Sequence, residues 1–144
     1  MTNNQTAPGD AICGIWTCHA ALTRALDAGL GNIHGIGLTE YMVLSHLYNA
    51  PQQTMRRIDL AEAVCRSASG VTRMLLPMEK IGLVKRNSHP RDARVSLVTL
   101  TNTGKKRFKE ASTTMDERSQ HLLRNLSGKQ LGQLTNILES LNNV

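Results

Sequence analysis

Between residues 54 and 100 the hydrophobic rhythm shortens, and this stretch limits the possible folds more than any other part of the chain. Ile58, Leu60, Ala61 and Val64 recur at helical spacing, and Val71, Leu75, Met78 and Ile81 do so again before Gly82. Only Cys65 and Arg66 separate the two runs, and Ser67 stands where it caps the second. Two short amphipathic helices across so tight a turn make a helix-turn-helix. Residues 83–86 and 95–100 then read as two strands joined by the polar loop 87–94, a β-hairpin wing. Pro77, inside the second run, deletes one backbone hydrogen bond and predicts a bend beyond the first turns of that helix.

Helices flank this centre on both sides. Residues 1–9 form a polar tail, expected to be disordered, and Asp10 caps a long helix with Ile12, Ile15, Trp16, His19, Leu22, Leu26 and Leu30 on one face. Gly29, Gly31, Gly35 and Gly37 end it in a loop; Thr39 opens a second helix that runs to about Asn49 and stops before Pro51. After the hairpin, Thr101 caps a polar helix carrying Phe108, Ala111, Met115, Leu122 and Leu126. Ser127 and Gln130 form a capping box ahead of a last helix with Leu131, Leu134, Leu138 and Leu141 on one face. The only aromatic residues are Trp16, Tyr41, Tyr48 and Phe108, so aliphatic side chains must build the core, which favours helices over a β-sandwich. The expected fold is mainly α with a small β-wing.

Charge is as uneven as rhythm. Residues 55–110 hold 13 of the 17 Lys and Arg and 5 of the 11 acidic residues, a net of +8, while the rest of the chain is at −2. A generally basic surface would spread that charge; one concentrated segment points to an anionic partner. Cys13, Cys18 and Cys65 are an odd set without disulfide-framework spacing, as expected of thiols in a reducing compartment. The apolar run 11–22 is too short for a membrane span, and no Lys or Arg precedes it as in a signal peptide. A cytoplasmic protein without membrane contact is expected. Cys18 and His19 are adjacent on one helix and face different ways, which argues against a zinc site. The chain has no Gly-rich phosphate loop, nucleophile elbow or paired metal-ligand spacing, so neither an enzyme nor a cofactor or metal is expected.

With Val71, Leu75 and Met78 turned to the core, Ser69, Thr72, Arg73 and Leu76 face away, and the N-terminal part of that face is polar enough to enter a major groove. Ser67, Ser69 and Thr72 can donate to phosphates or base edges, with capping the first role of Ser67, and Arg73 can pair with guanine. Arg56, Arg57 and Arg66 fall beside the groove as phosphate clamps. Lys85, Arg86, His89, Arg91 and Arg94 decorate the hairpin, where arginines suit the negative potential of a narrow minor groove. The apolar stripes of the first and last helices exceed what a compact central lobe can cover. Pairing them across a two-fold axis buries them and sets two reading helices one DNA turn, ~34 Å, apart on a palindromic double-stranded operator.

The order of these elements over residues 10–141 resembles the MarR family. The resemblance is carried by Leu60-Ala61-Glu62-Ala63, Val71-Thr72-Arg73, Met78-Glu79-Lys80-Ile81-Gly82-Leu83-Val84, Asp92-Ala93-Arg94 and Leu100-Thr101-Asn102-Thr103-Gly104. It implies a homodimeric winged helix-turn-helix repressor, with residues 10–36 and 101–144 as dimerisation helices and residues 39–100 as the DNA-binding lobe. It also gives Arg94 the minor-groove role and makes Asp92 the residue that holds the wing by pairing with an arginine. Members of the family often release DNA when a small, usually aromatic, acid or phenol binds between the two lobes, where His19, His34 and His46 are the candidate polar groups. A redox-sensing branch of the family carries a reactive cysteine near the position of Cys13. Residues 38–43 do not reproduce the tyrosine spacing of that branch, so Cys13 is expected to be a buried, inert residue. The competing readings are that redox sensor, a non-specific architectural nucleic-acid binder, and a small helical enzyme or ligand-binding protein with an incidental basic patch.

Overall fold

The computed structural model describes residues 6–142. Helix α1 spans Pro8–His34, α2 Leu38–Asn49, α3 Arg57–Ala63, α4 Ala68–Lys80, α5 Asn102–Leu122 and α6 Gly128–Leu141; strands β1 (Thr54–Arg56), β2 (Val84–His89) and β3 (Asp92–Leu100) form one antiparallel sheet in the order β1-β3-β2. This is the mainly α, winged helix-turn-helix class expected from the sequence.

Several boundaries differ from the sequence expectation. Pro8 starts α1 rather than Asp10, because its fixed φ suits the first helical position and its missing N–H costs nothing there. Residues 1–5 of the expected tail lie outside the described residues. The helix runs through Gly29 and Gly31 and ends at Gly35, whose φ of 67° closes it in the left-handed region with its N–H on the Gly31 carbonyl. Gly29 is buried, with the Arg118 side chain lying against the space a Cβ would take. Helix α2 starts one residue before Thr39, with Glu40 reaching back to the Gly37 N–H at 3.0 Å.

Strand β1 has no counterpart in the sequence expectation. Three residues are too short for an alternation signal, and its partner lies over forty residues away, where the Thr54 and Thr99 hydroxyls are 2.9 Å apart. The wing also differs: the strands extend to His89 and from Asp92, leaving Pro90 and Arg91 as the turn in place of an eight-residue loop. Polar residues on both faces of this free-standing ribbon hide its strands from pattern reading, but the backbone ladder continues through them.

The core gathers Leu30, Val43, Leu44, Leu47, Leu60, Val71, Leu75, Leu83, Val84 and Val98, all fully buried or nearly so, with the Phe108 ring between Tyr41 and Tyr48 at 5.4 and 4.8 Å. It therefore lies where the C-terminal part of α1 meets α2, α3, α4, α5 and the sheet. Ile58 and Ile81, both expected on apolar helix faces, are exposed, because periodicity continues past the point where the helix ends leave the core. Thr101 caps α5 and Ser127 caps α6 as expected. Gly104 sits so close to the Leu83 carbonyl that a Cβ would collide with backbone. We expect Gly104→Ala to separate α5 from the start of β2 and lower stability by about 2 kcal/mol or more, read as a reduced urea midpoint; an unchanged midpoint would mean that the backbone here yields freely.

Two apolar surfaces are left without a partner in the single chain. In α1, residues 8–20 are all exposed, Trp16 at 75% and Ile12 at 63%; α6 buries no residue, leaving Leu134, Ile137, Leu138 and Leu141 open.

Candidate nucleic-acid interface

Ser67 fixes the start of the helix that would read DNA. Its Oγ accepts from the Gly70 N–H at 3.0 Å, the capping role, and lies 3.3 Å from the Ser69 hydroxyl. Cys65, at φ 53°, makes the turn that brings α3 and α4 together. With Val71, Leu75 and Met78 buried, Ser69, Arg73 and Leu76 stand on the open face of α4. Arg73 makes no hydrogen bond or ion pair among the described residues, so its guanidinium is free for an external acceptor. Pro77 lies beyond these positions, inside a helix that continues to Lys80.

The other cations divide into free and engaged groups. Arg56 is closed on Asp59 by two bonds, 2.7 and 2.9 Å, and this pairing raises its pKa. Arg57 instead reaches across to α4 and donates to the Thr72 hydroxyl at 2.7 Å. Arg66 donates to Thr39 of α2 at 3.2 Å. Arg86, expected on the DNA side of the wing, is a tie between β2 and α4: its Nε and Nη2 reach the two oxygens of Glu79 at 3.1 Å, and its backbone N–H adds a third bond. Periodicity could not show this pairing, although Glu79 and Arg86 are only seven residues apart.

The Arg86 side chain holds the Glu79 carboxyl below the usual carboxylate range, with burial opposing it. A carboxyl whose pKa is lowered by folding adds stability that is present above its unfolded pKa and is lost as pH falls through the folded value. We therefore expect the melting temperature of Glu79→Gln to lie below that of the native chain at pH 7 and the gap to close as pH falls below about 4. A gap that stays constant with pH would mean that the ion pair has no part in holding the wing.

At the wing tip, Asp92 Oδ1 accepts from the Arg94 N–H at 3.0 Å and from Arg94 Nε at 3.2 Å, which together place the Asp92 carboxyl below its ordinary range. His89 Nδ1 takes the Arg91 N–H at 3.1 Å and so braces the turn. The Arg94 side chain is 92% exposed, and Lys85 and Arg91 are also exposed. The wing thus presents Lys85, Arg91 and Arg94 outward, with Asp92 and His89 shaping the tip.

The three histidines do not converge. His19 lines a cavity of about 340 Å³ with Thr39, Met42, Cys65 and Arg66, between α1, α2 and the helix-turn-helix. His34 Nε2 lies 2.7 Å from Thr114 Oγ1, and its carbonyl takes the Arg107 guanidinium at 2.7 Å, which fastens the end of α1 to α5. His46, half-buried on α2, is not among the residues lining that cavity. Cys13 is exposed in the single chain, contrary to the buried position expected, and lies past the first turn of α1, where a helix-end field is confined. Among the described residues no group of three His, Cys, Asp or Glu could hold a metal, and no helix is long and apolar enough to cross a membrane.

A capped helix presented across a tight turn, backed by a three-stranded sheet that runs out into an arginine-tipped ribbon, defines a winged helix-turn-helix protein. Residues 36–96 match the MarR family model, so this part of the chain carries a MarR-family domain. Its sequence is 29% identical over 109 residues to the HTH-type transcriptional regulator YdgJ of Bacillus subtilis, a match spanning 76% of this chain and 65% of that protein. It is 26% identical over 125 residues, 83% of each chain, to the homoprotocatechuate degradative operon repressor of Escherichia coli. The fold is also that of a MarR family transcriptional regulator from Streptomyces coelicolor solved in complex with DNA, with a TM-score of 0.85, 19% identity and coverage of 99% of this chain and 91% of that one.

Proposed function

We propose that this protein is a homodimeric, sequence-specific DNA-binding transcriptional repressor that acts in the cytoplasm and has no enzymatic activity. The observation that carries the reading is the free reading face of α4, with Ser69 and Arg73 exposed, together with a wing on which Lys85, Arg91 and Arg94 are exposed as well. Residues 39–100 form the DNA-binding lobe, and the helices of residues 10–36 and 101–144 form the dimerisation lobe, of which residues 143–144 lie outside the described residues. The likeness to a DNA-bound regulator supports the same placement.

The effector is a small aromatic acid or phenol held in the cavity of His19, Thr39, Met42 and Arg66. Two features support this: the volume suits one ring, and Arg66 offers a cation at a point that links α2 to the helix-turn-helix. The E. coli relative named for a homoprotocatechuate operon makes that compound the first to test. A gel-shift titration of DNA from upstream of the protein's own gene tests the reading. Excess random DNA should leave the specific complex intact; complete competition would point to an architectural binder, and no complex at low salt would remove the DNA-binding reading altogether.

A further inference from the structure

Thr72 stands on the reading helix, but its hydroxyl is already engaged at both ends. Oγ1 donates its proton to the Ala68 carbonyl at 2.9 Å and accepts from Arg57 Nη1 at 2.7 Å. Phosphate oxygens only accept, so a hydroxyl whose single proton is committed has nothing to give them. The two neighbouring arginines at the start of α3 are treated differently. Arg56, the last residue of β1, is neutralised by Asp59 of α3, whereas Arg57 has no carboxylate partner among the described residues and is half-buried against α4.

We propose that Arg57 is a phosphate-binding residue fixed in direction by Thr72, and that Thr72 is its positioning residue rather than a group that touches DNA. The inference rests on the DNA-binding reading above. In a helix-turn-helix the first helix crosses the DNA backbone while the second enters the groove, so an arginine that leaves the first helix and rests on the second lies where the flanking phosphate passes. One Arg57 N–H goes to Thr72, and the remaining N–H groups of the guanidinium stay available. Holding the side chain in place before DNA arrives reduces the rotamer entropy lost on binding. Val at position 72 would keep the shape and remove the acceptor; Ser would keep the acceptor.

A double-mutant cycle on the full-length protein, read by fluorescence anisotropy against operator and random DNA at several salt concentrations, tests this. Arg57→Ala should weaken both DNAs alike, about tenfold or more per dimer, with a salt slope shallower by about one unit for each phosphate no longer neutralised. Thr72→Val should weaken both by a smaller, equal factor of about fivefold, Thr72→Ser should bind like the native chain, and the double variant should match Arg57→Ala alone. Melting temperatures unchanged within a few degrees would exclude unfolding as the cause. Additive losses, a Thr72→Val variant that binds normally, or one that loses sequence preference without uniform weakening would each overturn the proposal. Failure of the native chain to bind any DNA would instead overturn the function on which it rests.

Discussion

Placing aspartate at Leu134 and Leu138 together is expected to turn the dimer into monomers and to weaken operator binding by at least a hundredfold. Helix α6 buries no residue in the single chain, yet its cap is complete, with Ser127 and Gln130 each bonded to the other's backbone N–H. A well-capped helix with Leu134, Leu138 and Leu141 open to solvent is finished everywhere except on its apolar side. Trp16, Ile12 and Ile15 on α1 form a second bare stripe. Surfaces of this kind mark an interface, and two-fold pairing covers both copies of each stripe at once. The loss of affinity follows because each half of the proposed dimer would bind a half-site, so a monomer would hold a single half-site and forgo the advantage of binding two linked sites. Light scattering decides the first half of this expectation: an unchanged dimer mass would place the interface elsewhere.

The second large effect is expected at the wing. Arg94→Ala should weaken operator binding by about tenfold per wing, and so more in a dimer that carries two, because in the proposed complex the exposed guanidinium would supply both phosphate attraction and insertion into the narrow groove. Asp92→Ala should also weaken binding, although it removes a negative charge from beside the DNA. Asp92 holds Arg94 through its backbone N–H and its Nε on one oxygen, so the substitution releases both bonds and frees the arginine. Electrostatics alone predicts the opposite sign. Tighter binding by Asp92→Ala in a titration at fixed salt would make the wing a diffuse positive patch.

The sequence was most legible where structure is local. Ser67, Thr101 and Ser127 are recognisable as caps because each bonds a backbone N–H three residues on, and Val71, Leu75 and Met78 mark the buried side of α4 by their spacing. What could not be read depends on partners that only folding brings together. Strand β1 is defined by β3, and Arg86 is a tie only because Glu79 on α4 lies beside β2. His34 is directed by Thr114, eighty residues away, which is why three histidines on neighbouring elements do not share a cavity. The basic segment was legible as a total, but which arginines are free was not: Arg56 and Arg86 have carboxylate partners, whereas Arg73 has none among the described residues. Cys13 stands exposed because the stripe it accompanies is uncovered in the single chain.

Selection of bound DNA from a random duplex pool by the full-length protein gives the sharpest test of sequence-specific binding. One inverted repeat should be enriched, its half-sites centred about one helical turn, roughly 10 base pairs, apart, and Arg73→Ala should relax the preference at a guanine in each half-site. Recovery of DNA with no shared sequence, at a salt concentration where the protein still binds, would rule out sequence-specific reading.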